Sequence, residues 1–74
     1  MARMNESAKQ YEITRSLIDF DCYWVLLRQI WPDAPRPLRA YWATELENAC
    51  KRLRSLGWTE SNLECRALDL KLGR

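Results

Sequence analysis

The chain has 74 residues and a net charge of +2, which makes it one small domain with no call for a polyanionic partner on charge alone. A chain of this size buries only about 60% of the surface its unfolded form exposes, so firm stability needs disulfides, a metal or association. Its three cysteines have no CxxC spacing and it lacks histidine, which removes the common zinc sets and every nucleophile–histidine pair.

Residues 1–5 read as a flexible tail without the apolar segment of a secretory leader, so a cytoplasmic protein is expected. Asn5 or Ser7 can cap a helix, and Ser7 with Gln10 matches a capping box. Neither glycine nor proline intervenes before Pro32, so helix one is expected over 6–31. Ile13, Leu17, Phe20, Trp24, Leu27 and Trp31 form one stripe at helical spacing. The apolar character does not end there. Ile18, Cys22 and Val25 fall to one side of the stripe, and Tyr23, Leu26 and Ile30 to the other. A helix apolar nearly all round must be covered nearly all round. These six residues are therefore the expected interface of a homodimer with a four-helix core. Asp19, Asp21 and Arg28 within this stretch argue against a membrane span.

Pro32, Pro35 and Pro37 end that helix and make a stiff connector, because each lacks an N–H and pushes its predecessor out of the α region. Arg36 and Arg39 flank the connector. With Tyr41 they are the expected partner-binding residues, since arginine and tyrosine are favoured in binding hot spots. Helix two is expected over 37–56, with Leu38, Trp42, Leu46, Ala49, Leu53 and Leu56 as its dry stripe and Glu47–Lys51 as an i,i+4 pair. Gly57 suits the position just past its end. The two stripes should pack into an antiparallel hairpin.

Thr59 can cap a third helix over 60–70, with Trp58 and Leu63 as a hydrophobic staple. Ser61 with Glu64 is an alternative capping box. Leu68, Leu70 and Leu72 alternate with Asp69 and Lys71 in a strand-like pattern, which leaves 66–72 open between helix and strand, and residues 71–74 read as tail. The expected fold is all-α: one domain over 6–72 made of a long helix, a Pro-rich connector, a second helix and a short third one.

The cysteines, Cys22, Cys50 and Cys65, read as small buried thiols, with no metal and no cofactor expected. Asp19 and Asp21 are the nearest carboxylate pair, but residues two apart on a helix point about 160° away from one another and cannot share a proton. With no glycine-rich phosphate loop, no enzyme is expected. The profile fits a small non-enzymatic regulator or inhibitor that binds a protein, a type also found among phage- or mobile-element-encoded proteins acting on host machinery. Two alternatives stand beside it. One is a dimeric DNA-binding regulator, because residues 53–63 resemble a helix-turn-helix; against a nucleic-acid partner, Leu53 fills the position where a small residue should sit, and the would-be recognition helix is acidic. The chain also fits a small subunit of a hetero-complex whose partner covers helix one.

Overall fold

The computed structural model describes residues 6–73, and the expected tail over 1–5 lies outside them. Three α-helices make up the fold among the described residues: α1 (Glu6–Val25), α2 (Arg36–Ser55) and α3 (Glu60–Leu72). The fold class is all-α. Ser7 lies within α1 and so does not cap it, and Asn5 is outside the described residues.

Helix one departs from the uninterrupted α-helix expected over 6–31. The α hydrogen bonding stops at Val25, and residues Leu26–Ile30 form a π-helical turn closed by the Trp31 N–H donating to the Leu26 carbonyl at 3.0 Å. Such turns are rare and short. Residues 31–35 then link to α2, which starts at Arg36 with Pro37 in its first turn, where a missing N–H costs nothing.

α1 and α2 pack antiparallel. Arg52, near the end of α2, reaches Ser16 and Asp19, while Trp42, near its start, meets Trp31 with ring centroids 6.1 Å apart. Phe20 from α1, Ala49 and Leu53 from α2 and Leu63 from α3 form the buried centre, and Ile13, Leu17, Trp24 and Leu46 pack around it half-buried. Ile13, Leu17, Phe20 and Trp24 of the first expected stripe and Leu46, Ala49 and Leu53 of the second face this core; Trp42 is buried outside it, Leu27 lines a surface groove and Trp31 stays exposed.

The turn from α2 to α3 follows local signals. Gly57 takes φ +103°. The Trp58 N–H donates to the Leu53 carbonyl at 2.9 Å and the Gly57 N–H to the Arg54 carbonyl at 3.1 Å, which is the Schellman arrangement. Thr59 caps α3: its hydroxyl accepts from the Asn62 N–H at 3.2 Å, and the Asn62 side chain accepts from the Thr59 N–H at 2.9 Å. Trp58 and Leu63 both join the core at the positions a hydrophobic staple occupies. Residues 66–72 are helical, and α3 runs two residues past the expected end. Leu70 turns inward while Leu68 and Leu72 stay exposed, so the alternation of leucines reflects two faces of a helix.

The radius of gyration is 13.6 Å, against about 11 Å for a compact domain of this length. The long first helix outruns the material available to cover it. No helix among the described residues is long and apolar enough to cross a membrane.

Candidate functional site

The two aspartates of α1 act as clamps. Asp19 accepts from the Arg52 guanidinium of α2 at 2.9 Å. Asp21 receives a two-pronged pair from Arg66 of α3, with Nε to Oδ1 at 2.9 Å. Their divergence on the helix, which forbids shared chemistry, is what lets one element hold both neighbours. Arg66 has its pKa raised by the hydrogen bond to Asp21. Arg54 is likewise tied to Glu60 across the α2–α3 turn. Ser16, only 1% exposed, accepts from Arg52 Nε at 3.3 Å and is the buried polar side chain of the core.

The six residues expected at a dimer interface occupy different settings. Ile18 and Cys22 are exposed on the outer face of α1, opposite the seam with α2, and Tyr11 lies on the same face one heptad before Ile18. Val25 and Leu26 are half-buried. Ile30 is the most exposed large hydrophobic among the described residues at 68%. Tyr23 is half-buried and meets Tyr41 edge-on, with centroids 6.3 Å apart. The hydrogen bond to Tyr41 pushes the Tyr23 phenol pKa up. A second apolar stripe, Cys65, Leu68 and Leu72, is exposed along α3.

The expectation of three buried thiols needs correction. Cys22 and Cys65 are exposed and Cys50 is half-buried, all three free. Cys22 and Cys65 sit on the outward faces of α1 and α3, where helix periodicity outweighs the usual tendency of cysteine to be buried. Burial pushes the Cys50 thiol pKa up. No group of His, Cys, Asp or Glu among the described residues is arranged to hold a metal ion.

Besides a groove of about 280 Å³ bounded by Trp24, Arg28, Gln29 and Lys71, two larger grooves open on the surface. One, of about 680 Å³, runs past Tyr11, Glu12, Arg52 and Ser55, and its cation is already engaged by Asp19 and Ser16. The other, of about 440 Å³, lies between the π turn and the start of α2. It is lined by Leu27, Ala40 and Ala43 and by Arg28, Arg36 and Arg39. Arg39 Nε donates to the Ala34 carbonyl at 2.8 Å. None of these three arginines has a carboxylate partner among the described residues, whereas Arg52, Arg54 and Arg66 each have one. The structure thus brings Arg36 and Arg39 together and adds Arg28, which no spacing in the chain singles out. Tyr41 points away from them, on the opposite flank of α2 against Tyr23.

The chain matches no protein-family model, no curated protein and no solved structure.

Proposed function

We propose that this chain is a non-enzymatic protein-binding module, a small regulator or inhibitor, that pairs with a second copy of itself through the outer face of α1. The observation that carries this reading is the exposure of Tyr11 and Ile18, 62% each, on a face that also holds Cys22 and that neither α2 nor α3 covers. A large apolar side chain left in water forgoes about 1.5–3 kcal/mol of burial. A two-fold contact needs only one such face, because the same patch serves both partners. Arg15 is the only charge in the stretch from Tyr11 to Cys22 that points along this face, judged at 100° per residue, so bringing two copies together desolvates few ions.

Sedimentation equilibrium tests the pairing. The wild type is expected at twice 8.8 kDa at tens of micromolar, and Ile18→Glu at the single mass with unchanged helicity, since Ile18 is exposed in the protomer. A monomeric wild type under those conditions refutes it.

A further inference from the structure

We infer that the groove between the π turn and the start of α2 binds an acidic segment of a partner protein, one that sets carboxylates on either side of an apolar side chain. The inference rests on the protein-binding reading above and supplies the partner's chemistry. Three observations converge on it.

The first is charge left unspent. Arg28, Arg36 and Arg39 line one groove without a carboxylate among them, while the arginines elsewhere on α2 and α3 are paired. Asp33, in the adjoining linker, forms no ion pair with them. Three guanidiniums drawn together repel one another, and an arriving carboxylate relieves that repulsion while offering each fork a bidentate partner.

The second is position. Arg36 and Arg39 lie in the first turn of α2, which holds no acidic residue. The helix dipole is positive there and disfavours cations. The placement works against the stability of α2, and no carboxylate among the described residues compensates for it. An external anion would be attracted by the side chains and the helix end together.

The third is the surface between the charges. Leu27, Ala40 and Ala43 are apolar, and the two alanines leave room for an incoming side chain. Leu27 and Arg28 both belong to the π turn, and such turns recur at functional sites. A phosphate backbone would engage the arginines and gain nothing from the apolar lining. Glu45, Glu47, Glu60 and Glu64 are scattered over the rest of α2 and α3, so no basic stripe extends the groove along a nucleic-acid strand. The observations therefore favour an acidic, partly apolar peptide.

The test uses the full chain and a fluorescent synthetic peptide of alternating glutamate and leucine, titrated by anisotropy. Controls are the same peptide with glutamine for glutamate, the same with serine for leucine, and single- and double-stranded oligonucleotides. The glutamate–leucine peptide should bind, and both substituted peptides should bind at least tenfold more weakly. The double variant Arg28→Glu with Arg36→Glu should lose at least tenfold, while Lys51→Glu, late in α2 and away from both the groove and the outer face of α1, should leave binding unchanged. Arg39 is retained in both variants because it supports the Ala34 carbonyl. Circular dichroism verifies that the double variant is folded, and if it is not, the single variant Arg28→Gln, expected to lose threefold or more, takes its place. No peptide binding at millimolar concentration, equal binding by the folded groove variant, or tighter binding of an oligonucleotide overturns the inference. Running the titration in Ile18→Glu as well separates the two proposals, because peptide binding by that variant supports the groove whatever its mass.

Discussion

Removing Arg52 should cost far more when Ser16 is present than when it is not. The Arg52–Asp19 pair is half in water, with both side chains 43% exposed, and a pair of that kind contributes about 0.2–1 kcal/mol. The Ser16 hydroxyl is a different matter. It is 1% exposed and accepts from Arg52 Nε at 3.3 Å. Arg52→Ala takes that donor away, and a buried hydroxyl left without it costs about 1–3 kcal/mol. The single substitution is therefore expected to cost about 2–3 kcal/mol. Ser16→Ala alone should be close to neutral, because it removes the buried polar group while Arg52 keeps Asp19 and solvent. In the Ser16→Ala background, Arg52→Ala should cost only about 0.2–1 kcal/mol, the value of the exposed pair.

The coupling between the two substitutions is then about 1–2 kcal/mol, within the range seen for residues in one hydrogen-bonded network. A domain of this length has only about 4–11 kcal/mol of total stability at 0.05–0.15 kcal/mol per residue, so the difference is large. Urea unfolding followed by far-ultraviolet circular dichroism, at one fixed protomer concentration, measures all four proteins. Arg52→Ala costing the same in both backgrounds, to within about 0.3 kcal/mol, would refute the reasoning. Ser16 would then be satisfied without Arg52, and the clamp would amount to the Asp19 pair alone.

Two further outcomes follow from single residues. Gly57 holds φ +103° and a Cβ there would meet nothing within 4 Å, so Gly57→Ala pays only the backbone cost of about 1–2 kcal/mol, partly offset in the unfolded chain; a thermal melt unchanged from wild type contradicts that conformation. Thiol titration of the native protein should find Cys22 and Cys65 reacting quickly and Cys50 more slowly, and three equally fast thiols would contradict the partial burial of Cys50. Because folding raises the Cys50 pKa above its ordinary 9.0, the unfolded chain ionises first, so stability from the neutral thiol is full below that pH and falls as pH rises through it.

What could be read from the sequence was what neighbouring residues encode. The limits of α2, the Thr59 cap, the Trp58–Leu63 staple and the Gly57 turn depend on contacts within a few positions, and the dry stripes of α1 and α2 follow from period alone. Asn62 could have been recognised as the reciprocal partner of Thr59 from its spacing of three, although the capping box is usually sought as glutamate or glutamine there. The features that were not legible join distant parts of the chain. Ser16 is an unremarkable helix serine until Arg52 arrives from 36 positions away. Asp21 gains its role only when α3 folds back to bring Arg66 beside it. The π turn has no glycine or proline to announce it. With that turn unseen, Arg28 had no visible relation to Arg36 and Arg39.

The arginines divide the molecule into a part that holds itself together and a part that does not. Arg52 and Arg66 bind the two aspartates of α1 and so fasten α2 and α3 to it, and Arg54 closes the turn between them. Around the start of α2 the pattern reverses: three arginines meet an apolar lining and a helix end of the same sign, with no carboxylate supplied by the described residues. Stability alone gives no reason for that arrangement, since acidic residues would serve the first turn of α2 better. An external anion does. A groove of about 440 Å³ contacts only a few side chains, so one copy would hold its partner weakly. Pairing through the outer face of α1 would present the groove twice, and two linked weak contacts can exceed either alone by about 10²–10⁴ when geometry allows both to engage. The two proposals thus have a physical connection: the uncovered face of α1 would set the number of grooves, and the unpaired arginines would set what each groove takes.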